Sequence, residues 1–276
     1  MTLTFHTRFT PLTATPFSRA DRCIEAAPCP ALRPLVRCFW GHSAAQGAGG
    51  RQLVIPDACV DIIFTLKDGR VRTRFCALDQ QPFWSDLSAQ APDLFAVRFY
   101  FWALPFLCPG GLPALEETLI PALSRLAQEG EFATLDFAGR KALLERWLLG
   151  RLSRASAPDA LLDSIDYLLS HGGDARVCAL SVHTGYSART LERLFAQHLG
   201  ASPKQTAALI RYQTLWNRAL TQPRFDVQDQ VLALGFCDQA HLLHFFRQHH
   251  GMSLGQAVRL ARGLSPFYNT RGDAPW

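Results

Sequence analysis

Histidine is scarce where metal chemistry would need it. His6 and His42 are the only histidines before residue 171, so the first half cannot assemble the clustered imidazoles that hold a catalytic metal. Eight cysteines (23, 29, 38, 59, 76, 108, 178 and 237) are scattered without one Cys-x-x-Cys pair, which excludes the usual dithiol and zinc spacings and reads as buried thiols in a reducing compartment. Long apolar runs are missing too. The greasiest stretch, Leu94 to Cys108, is broken by Arg98 and Pro105 and falls short of the roughly 20 residues a spanning helix requires. The first residues hold no basic segment followed by an apolar one, so no secretory signal is read and a cytoplasmic location is expected. Charge is modest, with Lys plus Arg at 28 against 23 Asp plus Glu, a formal +5 that permits a polyanionic partner without requiring one.

What is present is an ordinary folded chain. Its 276 residues are 48% apolar, with Gly and Pro at 19 and 17, which excludes disorder and fibrous repeats and suggests two domains. Residues 35–105 have a β texture. Leu53-Val-Ile is followed by Cys59 to Leu66, then Asp68-Gly69, then Val71, Thr73 and Phe75 alternating with Arg70, Arg72 and Arg74. An Asp-Gly between two β-rich runs predicts a type I′ hairpin, because both residues tolerate positive φ. Leu94 to Trp102 reads as a third strand. The expectation is an antiparallel sheet or barrel over residues 1–112.

Helical spacing takes over in 113–157. Leu143, Leu144, Trp147, Leu148 and Leu152 form one stripe on a helix starting near Asp136. Two uses of it stand open, a dimer seam or packing onto the β domain of the same chain. Arg154-Ala-Ser-Ala-Pro-Asp159 has linker composition, so a second, all-helical domain is placed at 158–263, with 264–276 expected to be a frayed tail.

Within that domain one pattern occurs twice. Val177 to Thr184 is a short helix, Gly185-Tyr186-Ser187 a turn, and Ala188 to Leu199 a second helix, with Gly185 suited to a left-handed turn and Ser187 to an N-cap. Leu191, Leu194, Phe195 and Leu199 share one face, while Arg189, Glu192, Arg193 and Ala196 share the other. Fifty residues on, Val227 to Leu234 is followed by Gly235-Phe236-Cys237, the N-cap candidate Asp238, and the helix Gln239 to His250. There Leu242, Phe245 and Phe246 face inward and Ala240, His244, Arg247 and Gln248 outward, with Gln239 at the exposed start and His249-His250 at the helix end, where positive charge suits the dipole. Short helix, glycine turn and second helix with an exposed polar edge is the arrangement that lays a helix in the DNA major groove. His241 and His244, three apart, also have metal-ligand spacing, but their place on this second helix favours the DNA-facing use. Pro203 opens a connecting run through Leu220, about 25 Å as a helix, enough to hold two such helices near successive major grooves.

Over residues 160–262 the chain resembles the AraC/XylS family of bacterial transcription regulators. The resemblance is carried by Gly-Tyr-Ser-x-Arg-Thr-Leu-x-Arg-Leu-Phe from Gly185, Leu-Gly-x-Ser-Pro from Leu199, and Leu-Gly-Phe-x-Asp-Gln-x-His-Leu-x-x-x-Phe-Arg from Leu234 to Arg247. It implies sequence-specific binding of double-stranded DNA and transcription control, usually activation through contact with RNA polymerase. The family's base-reading positions match Arg189, Glu192 and Arg193 in the first unit, and Gln239, Ala240 and His244 in the second. Ser187, Thr190, Lys204, His241 and Arg247 complete the expected DNA-binding set. Two departures stand out: Ser181 replaces a usual Ala, and Gln230-Val231 replaces Ile-Ala, which predicts a looser second unit.

The first half resembles the cupin-like sensor domain found ahead of some AraC-type domains, through Val36-Arg-Cys-Phe-Trp40, Val54-Ile-Pro-Asp57-Ala-Cys-Val-Asp61-Ile-Ile-Phe64 and Val97-Arg98-Phe99. In that family this part senses a small-molecule effector or forms a homodimer. Asp57, Asp61 and Arg98 are the candidate ligand-binding residues. The alternative, which residue chemistry favours, is that Asp57 caps a Pro-Asp turn and Asp61 or Arg98 makes an internal ion pair. Trp40, Trp84, Phe99, Tyr100, Phe101 and Trp102 are candidates for an aromatic pocket or for core.

The fold class is therefore α+β: an antiparallel β-barrel or cupin-like domain, a helical connector, and an all-α domain with two helix-turn-helix units. No cofactor, metal or membrane is expected, and no enzymatic activity. Gly41-His42-Ser43 lacks the second glycine of a nucleophile elbow. The rival reading is a ligand-binding or enzymatic barrel, including cysteine-based repair of alkylated DNA, fused to a helical module without specific DNA binding. For it, Cys23, Cys29 and Cys38 lack paired zinc spacing.

Overall fold

The computed structural model describes residues 3–12, 24–42, 50–87, 93–129, 131–152 and 156–263. Cys23, Ser43 and the tail 264–276 lie outside these, as does 153–155 of the expected linker. Strands β1 (Ile24–Ala26), β2 (Val36–His42), β4 (Cys59–Lys67), β5 (Arg70–Cys76) and β7 (Asp93–Tyr100) form one antiparallel sheet in the order β1-β2-β7-β4-β5, while β3 (Gly50–Val54) and β6 (Phe83–Leu87) pair as a second, two-stranded sheet. The β4–β5 hairpin turns at Asp68 (φ 51°) and Gly69 (φ 70°), the double positive φ of a type I′ turn.

The sheet is open. Among the described residues its edge strands β1 and β5 do not pair with each other, which corrects the expected barrel. The reason is that helices, rather than further strands, cover its main apolar face. Phe64 and Phe95 meet Phe132 with ring centroids 4.9 and 5.8 Å apart, and Phe137 lies 5.2 Å from Phe95. The opposite face buries a smaller cluster of Cys38, Trp40, Ile63 and Ala96. Burial on both faces explains why β4 and β7 read as nearly continuous apolar runs instead of alternating. The expected third strand stops at Tyr100. Phe101–Ala103 turns as a 3-10 helix, and Trp102 is fully buried, stacked on Tyr100 at 4.4 Å with its Nε1 donating to the Pro34 carbonyl at 2.8 Å.

The helices are α1 (Phe5–Arg8), α2 (Leu104–Leu107), α3 (Leu112–Ala114), α4 (Ile120–Glu129), α5 (Phe137–Leu152), α6 (Asp159–Ser170), α7 (Val177–Thr184), α8 (Ala188–Leu199), α9 (Pro203–Thr221), α10 (Val227–Ala233), α11 (Gln239–His250) and α12 (Leu254–Gly263). On α5 the stripe packs within the chain: Leu144 and Leu148 are buried in the main core, with Leu143, Trp147 and Leu152 against it. That core runs unbroken from the sheet into α6, α8 and α9 through Leu161, Ile165, Leu168, Leu191, Phe195 and Leu209. A second core, with Tyr212, Trp216, Val231, Leu242 and Phe246, takes in Ile55 from the first half.

The two halves are joined by polar contacts as well. Gln213, buried in the middle of α9, accepts from the Leu12 N–H at 2.8 Å and donates to the carbonyls of Pro56 at 2.7 Å and Leu12 at 3.3 Å. Arg8 reaches Asp166 and the Ser170 hydroxyl of α6. Among the described residues no helix is long and apolar enough to cross a membrane.

Candidate nucleic-acid interface

Each unit is built from locally encoded signals. Gly185 ends α7 at φ 73°, and the Ser187 side chain accepts from the Thr190 N–H at 3.2 Å, supplying one of the bonds a helix start lacks. In the second unit Gly235 takes φ 64° and Asp238 accepts from the His241 N–H at 2.7 Å. Ser202 and Gln205 form a reciprocal capping box at the start of α9, whose 19 residues make a rod of about 28 Å.

On α8, Leu191, Phe195 and Leu199 are buried and Leu194 half-buried, while Arg189, Glu192, Arg193 and Ala196 are exposed. Neither Arg189 nor Arg193 has a hydrogen bond or ion pair among the described residues, so both guanidinium groups keep all five donors for an outside partner. Ser187 and Thr190 are already engaged with each other, their hydroxyls 2.9 Å apart at the cap. Lys204 is exposed on the first turn of α9.

On α11, Leu242 and Phe246 are buried, and Gln239, Ala240, His241, His244 and Arg247 are exposed. Gln239 Nε2 donates to Gln228 on α10 at 2.7 Å, which ties the two helices of the unit together. His241 Nδ1 faces the Cys237 N–H at 3.5 Å, and its ring meets Phe236 edge-on at 5.3 Å. His244 and Arg247 stand free among the described residues, leaving this face less basic than that of α8.

Two expectations are corrected here. The second unit is not loosened by Gln230: its buried amide accepts from Arg218 at 3.0 Å and donates to Gln222 at 3.4 Å, and Val231 beside it is buried. Nor does His250 bring charge to the helix end. It is 3% exposed, stacks on Phe246 at 4.8 Å and shares a hydrogen bond between its Nδ1 and the Tyr212 hydroxyl at 2.8 Å. Burial pushes its pKa down to about 4, so the ring is neutral. Burial also lowers the His249 pKa, although its ring nitrogen bonds the Phe245 carbonyl. In the first unit the Ser181 hydroxyl is buried without a partner among the described residues.

The three candidate ligand residues do converge, on one another. Arg98 holds Asp61 with Nε and Nη2 at 2.9 and 2.7 Å and approaches Asp57 at 3.3 Å. Asp57 also accepts from the Cys59 N–H at 3.0 Å, capping the turn at Ala58 (φ 54°). Trp40 completes the group, its Nε1 donating to Asp61 at 3.3 Å. Of the alternatives open in the sequence, the capped turn and internal ion pair describe this arrangement. Burial, helped by the like charge of Asp61 and opposed by Arg98, pushes the Asp57 carboxyl up to about 6. Of the two uses open to the aromatic residues, core describes Phe99, Tyr100, Phe101 and Trp102, while Trp40 lies on the other face and Trp84 is exposed.

Seven cysteines, all but Cys23, are free; Cys178 and Cys237 are exposed, contrary to the expected burial. Among the described residues no group of three or more His, Cys, Asp or Glu is placed to hold a metal ion. Sequence reasoning missed Gln213, Arg211, Asp174 and the inward role of His250. Polarity at inward helical positions could have signalled Gln213 and His250, whereas Asp174 is exposed in the turn before α7 and carries no such signal.

Residues 180–259 match the family model described as a helix-turn-helix domain, and residues 24–121 match a domain of unknown function (DUF6597). No curated protein sequence matches the chain. Similar solved structures include ToxT from Vibrio cholerae O395, 9% identical, covering 87% of this chain and 96% of that one at a TM-score of 0.37. Another is the same protein bound to (E)-4-(8-methylnaphthalen-1-yl)but-3-enoic acid, 10% identical over 78% of this chain and 90% of that one, at 0.36.

Proposed function

We propose that this chain, which carries a helix-turn-helix domain behind a domain of unknown function, is a DNA-binding transcription regulator that reads a two-part operator in successive major grooves. One observation carries this reading: two capped helix-turn-helix units on one 19-residue helix, each presenting a second helix with an exposed polar edge, on which Arg189, Arg193, His244 and Arg247 have no partner among the described residues. Arg189 and Arg193 supply the base contacts of the first half-site, with Glu192 selecting against wrong bases. Gln239, His244 and Arg247 supply those of the second, and Ala240 leaves room for a base edge. Ser187, Thr190, Lys204 and His241 serve the phosphates and the register. Specific affinity leans on α8, whose edge is the more basic.

In this reading the first half adjusts how the units meet DNA, through the Gln213 contacts to Leu12 and Pro56. The Asp57–Asp61–Arg98 group then braces the strand that follows Pro56 instead of anchoring an effector, since its guanidinium is already held by two carboxylates.

The test is selection from a genomic DNA-fragment library at two salt concentrations, with sequencing of the bound fraction. The expected result is a two-part motif with half-sites about 10 base pairs apart, weakening steeply with salt. Equal recovery of all fragments at both salts overturns the reading.

A further inference from the structure

Both helix-turn-helix units approach one point, and a single ion pair lies there. Asp174 belongs to the turn that follows Gly172 (φ 58°) and Gly173 (φ 81°) and leads into α7 of the first unit. Arg211, from the middle of the connecting helix α9, donates through Nη2 to Asp174 Oδ1 at 2.8 Å and to the Gly173 carbonyl at 3.3 Å. The same guanidinium lies 5.2 Å from the ring centre of Phe236, in the turn that leads into α11. The Asp174 carboxylate occupies the space a β-carbon on Gly235 would need, so the two turns touch directly. A side chain on Gly173 would in turn strike the backbone of α9 at Ala207 and Arg211. Three glycines at positive φ thus bring the turn before α7, the connecting helix and the turn before α11 into contact around one arginine. No helix contact within either unit requires this.

Resting on the two-groove reading above, we infer that Asp174 and Arg211 are positioning residues that set the separation and twist between recognition helices α8 and α11. The ion pair contacts no base. Its consequence is the register of the two half-sites. Inserting or deleting one base pair turns one half-site about 35° against the other around the duplex, and a braced pair of helices cannot follow. Without the brace, α9 and the apolar contacts of each unit with the first half are left to relate the units, and the second gains freedom at the turn before α11.

The experiment uses the full chain and three duplexes: the selected two-part site, the same site with one base pair added to or removed from the spacer, and a fragment carrying the first half-site alone. For the wild type, each spacer change is expected to weaken binding about tenfold or more, in the range of a mismatched base pair. Asp174→Ala and Arg211→Leu should bring that penalty below about threefold while half-site binding stays within about twofold of wild type. Arg211→Lys, which keeps the charge, should restore part of the penalty. If both variants keep the wild-type spacer penalty, the positioning role is overturned, whatever happens to overall affinity. If the wild type itself ignores spacer length, the two-groove reading falls and takes the inference with it.

Discussion

The buried His250 ring gives the second unit a pH-dependent contribution to stability. Its pKa falls from the usual 6.5 to about 4 in the folded chain, because the ring is buried against Phe246 and Trp216. A depressed histidine means the unfolded chain binds the extra proton first. Its contribution is therefore fully present above pH 6.5 and is lost as pH falls toward 4, amounting to about 3 kcal/mol. Asp57 acts in the opposite sense over nearly the same window. Its folded pKa is raised from 3.8 to about 6, so its contribution is present below 3.8 and lost as pH rises through 6, again about 3 kcal/mol. The two slopes cancel in the wild type and separate in variants. With His250→Gln, which keeps an acceptor for Tyr212, the stability gap to wild type in urea should narrow by about 3 kcal/mol between pH 7 and pH 4. With Asp57→Asn the gap should change by a similar amount with the opposite sign. Taking the difference from wild type cancels the titrating groups that do not couple to the substituted one. A His250→Gln gap that stays constant with pH would show that the buried ring does not titrate as argued.

Arg193→Ala should weaken binding to the selected site by about 1–3 kcal/mol and relax preference at one base position; a loss uniform over all sequences in a competition assay would make it a phosphate contact. Gln213→Ala leaves the buried groups of Leu12 and Pro56 unpaired, so urea unfolding should register a loss of about 1–3 kcal/mol, and an unchanged midpoint would show that water replaces the amide. Arg98→Leu strands two buried carboxylates and should cost about 3–5 kcal/mol at neutral pH, part of it recovered at pH 4 as they protonate. A loss that does not shrink in acid would point to packing as its source.

The features legible in the chain share a short range. Asp68-Gly69, Gly185, Gly200, Gly235, Ser187 and Asp238 act on backbone within four residues of themselves, so φ preference and capping chemistry specify them whatever surrounds them. The exposed edges of α8 and α11 followed from helical periodicity once those caps bounded the helices. Arg98 with its aspartates was legible as a pair of alternatives, because charge in an apolar run signals burial but not its partner.

What tertiary structure decided depends on groups far apart in sequence. The open sheet follows from Phe132 and Phe137 lying over Phe64 and Phe95, a matter of where the helices return, which strand alternation does not encode. His250 reads as a helix-end cation until its ring is seen buried and hydrogen-bonded to Tyr212, 38 residues earlier. Gln213 meets Leu12 and Pro56 across separations of 201 and 157 residues, and Arg211 meets Asp174 across 37. A polar side chain in a helix carries the same local signal whether water or a distant carboxylate satisfies it. The fold supplies the partner, and with it the link between the chain's two halves and between its two helix-turn-helix units.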